Sequence, residues 1–97
     1  MNIIAKRTLV DFYTKHPETE QALKSWYLIV KKANWEKSSD IQSMFNSADS
    51  IQGNIIVFNI CGNNYRLIVK FNYLANTGYI KFIGTHKQYG KLKIDQL

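Results

Sequence analysis

Arg66 stands in the run Tyr65-Arg66-Leu67-Ile68-Val69, an arginine between apolar neighbours in a strand-like stretch. Arginine is rarely placed there without an anionic partner, and its planar fork matches two oxygens of a phosphate or carboxylate at once. Further on, His86 follows a Gly-Thr step out of another strand, and Tyr89 follows it in the order His-Lys-Gln-Tyr. An imidazole can give or take a proton near neutral pH. Lys70, Lys81 and Lys87 lie in the same region, and from Arg66 to Lys93 there are six positive residues and no acidic one. Such a set suits a polyanion.

Each residue also has a plainer reading. Lysines on an open sheet face are usually solvated or protect an edge. A lone histidine after a strand is more often a hydrogen-bonded structural residue than a catalyst, and Tyr89 fits the rim of a core. Arg66 is the hardest to explain as structure.

The whole chain agrees in charge. Ninety-seven residues with thirteen Lys and Arg against seven Asp and Glu give a formal charge of +6, which favours nucleic acid among anionic partners. That length suits one domain, residues 1–97, with helices packed against a sheet. A single cysteine, Cys61, has no internal disulfide partner, so a reducing, cytoplasmic setting is expected. Cys61 itself reads as a small apolar residue. The absence of a long apolar run or a secretory leader pattern predicts no membrane association.

The elements that must position these residues follow from periodicity. Met1 to Ala5 reads as a short strand. Leu9, Phe12 and Tyr13 recur at helical spacing, and His16-Pro17 ends that helix because the residue before proline is driven from the α region. Pro17 suits the first position of a second helix, with Glu18 and Glu20 at its start and Lys31 and Lys32 at its end. Ala22, Trp26, Ile29, Val30 and Ala33 form its expected apolar face, and His16 reads as a helix boundary. Asn34 to Ser50 is a connector long enough to be functional. Within it, Ser39 and Gln42 are spaced as a capping box for one turn, and Trp35 reads as a peg into the core, or else as an exposed ring that could stack on a base.

Ile55 to Ile60 reads as a strand, and Gly62-Asn63 as the loop of a hairpin. That register sets Asn59 opposite Arg66 and Phe58 opposite Leu67. Ile56, Phe58, Ile60, Tyr65, Leu67, Val69 and Phe71 then share the core face. Asn59, Arg66, Ile68, Lys70 and Asn72 share a half-polar, basic one. Taking Ala75 to Gly78 as the next turn pairs Leu74 with Tyr79 and brings Lys81 to the basic face, with Ile80 and Phe82 in the core. Unbroken alternation would bury His86, so a bulge or strand end is expected near Gly84 to turn it toward Arg66.

The segments FNICGNNYRLIVKFNY and IKFIGTHKQY resemble the signature of HigB-type toxins, a branch of the RelE/ParE superfamily of toxin–antitoxin proteins. The N-terminal strand, the two helices and the Trp-containing linker with its DIQSMF turn are similar too, so the resemblance spans nearly the whole chain. It implies a small RelE-like α+β fold, an N-terminal strand and two helices on one face of an antiparallel sheet. It also implies an endoribonuclease that cleaves mRNA, commonly on the ribosome, and a helix-turn-helix antitoxin of HigA type encoded nearby. Arg66 matches the arginine of YRL, and His86 and Tyr89 match the GTHxxY motif. Asn59 and Asn63 match the family's asparagine pair. Many relatives carry an acidic residue after that tyrosine, where this chain has Gly90.

What the resemblance implies chemically is attack by the RNA's own 2′-OH on the adjacent phosphate, with no cofactor or metal. A base must take the 2′-OH proton, cations must stabilise the phosphorane, and an acid must protonate the leaving 5′-oxygen. Arg66 suits the phosphorane, His86 the proton transfers, and Tyr89 base stacking or proton transfer. Asn59, Lys70, Lys81 and Lys87 would bind RNA. Two other readings stand beside this one: a non-catalytic RNA-binding module using the same basic face, and a protein-interaction domain. Turnover separates the first from cleavage, and salt-sensitive RNA binding separates it from the second.

Overall fold

Alternating β-branched and aromatic residues in the C-terminal half build the three long strands of a five-stranded sheet, seen here in a computed structural model that describes residues 1–52 and 54–93. Its strands are β1 (Asn2–Ile4), β2 (Asp49–Ile51), β3 (Ile55–Ile60), β4 (Tyr65–Asn72) and β5 (Thr77–Thr85). They lie in the order β1-β5-β4-β3-β2. The expected α+β arrangement is found, with the N-terminal strand and the helices α1 (Lys6–Lys15) and α2 (Glu20–Lys32) as anticipated. The sheet is mixed, because β1 runs parallel to β5 while the other neighbours are antiparallel.

Helix α1 stops at His16, whose backbone N–H donates to the Phe12 carbonyl. Pro17 does not open α2 directly. It begins a 3₁₀ turn, Pro17–Thr19, and α2 starts at Glu20. The buried stripe of α2 is Leu23, Trp26 and Val30, whereas Ile29, expected inside, is 40% exposed. The helix is rotated so that Leu23 faces the sheet instead.

The connector holds more structure than its weak period suggests. Trp35 is a core peg as expected, 5% exposed and edge-on to Phe45 and Phe71. A short helix α3 (Ser38–Met44) follows, but the Ser39–Gln42 capping box does not form. Lys37 is at the cap position, and the Gln42 amide instead donates to the Ala48 carbonyl at 3.2 Å. The connector ends in β2, a three-residue strand too short to show alternation, which pairs with β3.

One face of the sheet receives α1, α2 and α3. Leu9, Leu23, Trp26, Val30, Trp35 and Ile41 meet Ile56, Phe58, Ile60, Leu67, Val69 and Phe71 in one cluster. Phe58 lies at its centre, with the Trp26, Phe45 and Phe71 rings set edge-on at 5.3, 5.1 and 6.3 Å. Offset and edge-to-face packing of this kind adds to simple area burial.

The β3–β4 register is the expected one: Phe58 faces Leu67 and Asn59 faces Arg66. The β4–β5 register is not. The turn closes earlier, with the Ala75 N–H donating to the Asn72 side chain and Asn76 taking φ 52. Asparagine tolerates that left-handed conformation. Strand β5 therefore begins at Thr77 opposite Asn72, and Tyr79 faces Lys70. Gly78, read as a turn residue, lies within the strand, where a Cβ would come within 2.9 Å of the Phe71 ring.

The strand end expected near Gly84 comes at Thr85, and a further irregularity falls between Ile68 and Val69, with Val69 facing Ile80 and Ile68 facing Phe82. Lys81 is the extra residue. A bulge of this kind places one unpaired residue in the strand and resets the alternation after it. Ile80 points to the helix side as expected, but Phe82 does not. It packs on the other face beside Ile55, Val57 and Ile68. Among the described residues, no helix is long and apolar enough to cross a membrane.

Candidate functional site

The face opposite the helices holds every residue singled out for RNA chemistry, but not as one basic surface. Ile55, Val57 and Ile68 form a small buried patch at its middle, covered by Phe82, Tyr89 and Leu92. This patch divides the face into two ends.

At the first end, Arg66 faces Asn59 on one side and Gly84 on the other. Its Nη1 donates to the carbonyls of Asn63 at 3.1 Å and Tyr65 at 3.3 Å. Among the described residues those bonds use one guanidinium nitrogen and leave Nε and Nη2 for an anion. The guanidinium carbon lies 5.9 Å from the centre of the Tyr89 ring, within cation–π range.

His86 and Tyr89 come from α4 (His86–Gly90), a one-turn helix that leaves the end of β5. Its start is fixed by reciprocal bonds: the Gln88 N–H donates to the Thr85 hydroxyl at 3.1 Å, and the Thr85 N–H to the Gln88 side-chain oxygen at 2.9 Å. This is a capping box. Gly84 leaves room for it, because a Cβ there would stand 2.6 Å from both Gln88 Oε1 and the Phe82 ring. The His86 N–H donates to the Asn64 carbonyl at 3.2 Å, which anchors α4 to the β3–β4 turn. His86 and Lys87 are exposed, and Tyr89 is half-buried on the apolar patch. The end of β5 at Thr85, expected near Gly84, together with the capping box and the upstream bulge turns His86 outward at the Arg66 end.

Asn59 belongs to this end by register, but its amide donates to the Ser47 carbonyl at 3.1 Å and so ties down the connector. Lys70 and Lys81 are elsewhere. Both are exposed and lie at the second end with Tyr79 and Asn72, beyond the apolar patch. The residues brought together are therefore Arg66 and Tyr89, with His86 and Lys87 on the same short helix.

Behind Arg66, Tyr65 points to the helix side. Its hydroxyl donates to the Glu18 carboxylate, which lies within 3.8 Å of His16 Nδ1. That hydrogen bond holds the Glu18 carboxyl below its ordinary range and the Tyr65 phenol above its own. His16 stacks on Phe12 at 4.4 Å and packs edge-on to Tyr65. The cluster joins the 3₁₀ turn to the sheet on the face away from Arg66.

A model of HigB_toxin, the RelE-like toxic component of a toxin–antitoxin system, matches residues 19–92. The chain belongs to the HigB toxin family. It is 28% identical over 94 residues to a protein of Escherichia coli O6:H1 (strain CFT073) named mRNA interferase HigB, covering 95% of this chain and 91% of that protein. A protein of Escherichia coli K12 named mRNA interferase toxin HigB is 26% identical over 91 residues, covering 92% and 88%. The mRNA interferase HigB of Shigella flexneri matches to the same extent. Arg66, His86 and Tyr89, the residues singled out by the resemblance, all lie at the first end of the face.

Sequence reasoning missed the supports of this candidate site. Thr85 and Gln88 carry a readable T-x-x-Q capping signature, and Phe82, Ile55, Val57 and Leu92 form the apolar platform under Tyr89. The platform was hidden by the register error in β5, which assigned Phe82 to the wrong face.

Proposed function

We propose that this HigB-family toxin is an endoribonuclease that cleaves mRNA, commonly on the ribosome, without a metal, through attack of the substrate's 2′-OH. The observation that carries the reading is the juxtaposition of Arg66 with Tyr89, on the short helix whose exposed first residue is His86. The printed names of the relatives, mRNA interferases, support mRNA as the substrate.

In this mechanism Arg66 offers its free N–H groups to the two non-bridging oxygens of the phosphorane, where charge builds up in the transition state. The two carbonyls that hold Nη1 keep the guanidinium in place, so little reorganisation is needed as that charge develops. His86 moves a proton, as base toward the 2′-OH or as acid toward the leaving 5′-oxygen. Tyr89 presents its ring beside Arg66 to stack on a base or assist the second transfer. Lys87 holds a neighbouring phosphate, and Asn59 acts by fixing the connector behind Arg66. The acid-free stretch from Arg66 to Lys93 supplies no carboxylate for a metal, and the 2′-OH needs none. A toxin of this kind requires a restraining antitoxin. An acidic or helical surface laid over Arg66 and His86 would supply the restraint, from a helix-turn-helix protein encoded nearby.

The test is a matched pair of RNAs, one with a 2′-OH and one with a 2′-methoxy group before the cut, in excess EDTA without ribosomes. The first should give an upstream product ending in a 2′,3′-cyclic phosphate, and the second should bind uncut. Cleavage of the methoxy RNA at the same bond, or loss of activity on chelation, would overturn the mechanism. Parallel cleavage in a translating extract tests the ribosome's part.

A further inference from the structure

The second end of the open face contains a groove of about 690 Å³, the larger of two cavities described, and the proposed cleavage chemistry makes no use of it. Lys70, Asn72, Tyr79 and Lys81 line it, with Glu36 among its walls and Leu74 at the β4–β5 turn. Tyr79 is 37% exposed although it lies within a strand. The Lys81 ammonium is 5.8 Å from the Tyr79 ring centre, and Lys70 is the direct cross-strand partner of Tyr79. The bulge contributes here. As the extra residue, Lys81 remains solvent-exposed beside Tyr79 while Phe82, next along the chain, turns into the apolar patch.

An exposed aromatic ring flanked by two cations is how single-stranded nucleic acid is held without sequence readout. Glu36 would repel a phosphate, so the phosphate belongs on the lysine side and the base over Tyr79. Lys70 lies four residues along β4 from Arg66, about 13 Å at strand rise, so one extended strand of RNA can reach both ends. We propose that this groove is a second RNA subsite, in which Tyr79 stacks on an unpaired base while Lys70 and Lys81 hold the adjoining phosphate. The proposal rests on the endoribonuclease reading, to which it adds a grip on message outside the scissile bond.

The probe is a fluorescein-labelled RNA octamer, fully 2′-methoxy so that it cannot be cut, titrated by anisotropy. Tyr79→Ala should weaken binding about 5- to 150-fold, the range that base–aromatic stacking supplies. Tyr79→Phe, which keeps the ring, should bind like wild type, and Leu28→Ala, exposed on α2 across the sheet, should serve as an unaffected control. Lys81→Ala should reduce the slope of log affinity against log salt by about one. Unchanged binding by Tyr79→Ala, or equal losses in Tyr79→Ala and Tyr79→Phe, overturns the subsite while leaving cleavage intact. Tyr79-dependent binding by a protein that never cuts RNA overturns the nuclease and upholds the groove. No octamer binding by wild type overturns the subsite.

Discussion

The two faces of the sheet are built from the same strands to opposite ends. The helix-covered face is closed: its inward side chains, from Ile56 to Phe71, are buried under three helices and an edge-on aromatic cluster around Phe58. Among the described residues, the other face buries a small apolar patch of Ile55, Val57 and Ile68, covered by Phe82 and by Tyr89 and Leu92 in and just after one helical turn. Strand alternation makes the division possible, because successive residues of β4 serve opposite faces. Leu67 goes to the core, and its neighbours Arg66 and Ile68 go to the working side. Substitutions one residue apart should therefore fail in different ways.

The largest effect should come from the closed face. Phe58→Ala removes the hub of the aromatic cluster and should cost about 3–5 kcal/mol, read from urea denaturation. Cleavage per folded molecule should survive. If activity instead falls much further than the folded fraction, the two faces are not separable.

Arg66→Lys is the converse test on the open face. Charge is kept and the bidentate fork is lost, so cleavage should fall about 10²–10³-fold with the denaturation midpoint unchanged. Near-normal cleavage by this variant would remove Arg66 from the proposed chemistry.

Gly84→Ala probes the joint between the faces. Its Cβ would collide with Gln88 and the Phe82 ring, and overpacking of that kind costs about 1–3 kcal/mol. Because the displaced groups carry α4, cleavage should drop beyond what lost folded protein explains. An alanine variant with full activity would mean that α4 is not held by this contact.

The smallest effect concerns Glu18, on the side away from Arg66. Its carboxyl is held low and the Tyr65 phenol high. The bond therefore contributes above the unfolded carboxyl value and is lost as pH falls through the lower folded one. At the alkaline side it persists below the ordinary tyrosine value and is lost as pH rises through the raised one. Glu18→Gln should lower the thermal midpoint slightly near neutrality, with the difference from wild type vanishing in acid and in strong alkali. Glu18 is exposed and Tyr65 only half-buried, so the shift should be small, and a difference independent of pH would contradict this origin.

How far the sequence could be read depended on what each signal was. Strong period and strong turns were legible: α1, α2, the β3–β4 hairpin, and the opposition of Asn59 and Arg66 all follow from spacing. The β4–β5 pairing did not follow, because two readings compete in Ala75-Asn76-Thr77-Gly78. Glycine suggested the turn, but asparagine takes the left-handed position while Gly78 makes space under Phe71. That choice moved Lys81, Phe82 and the bulge together. Capping shows a similar competition, since Ser39–Gln42 and Thr85–Gln88 share one spacing and only the second forms. At the second site a strand ends and Gly84 leaves room; at the first, Gln42 is drawn away to Ala48. The location of Arg66, His86 and Tyr89 at one end was anticipated through the family motif. The separation of Lys70 and Lys81 from them was not, because an apolar patch between charges leaves no mark in a charge count.

Helix α4 has five residues, and an isolated helix that short does not persist in water. Its order is borrowed from the Thr85–Gln88 bonds and from Tyr89 and Leu92 resting on the apolar patch. Such a turn opens as a unit of its own, at a free energy below that of global unfolding. The amides of α4 should accordingly exchange with solvent long before those of Leu67 and Ile68, which lie in a central strand. Warming would then detach His86 and Tyr89 from Arg66 while the sheet is still intact, leaving a toxin that is folded and silent.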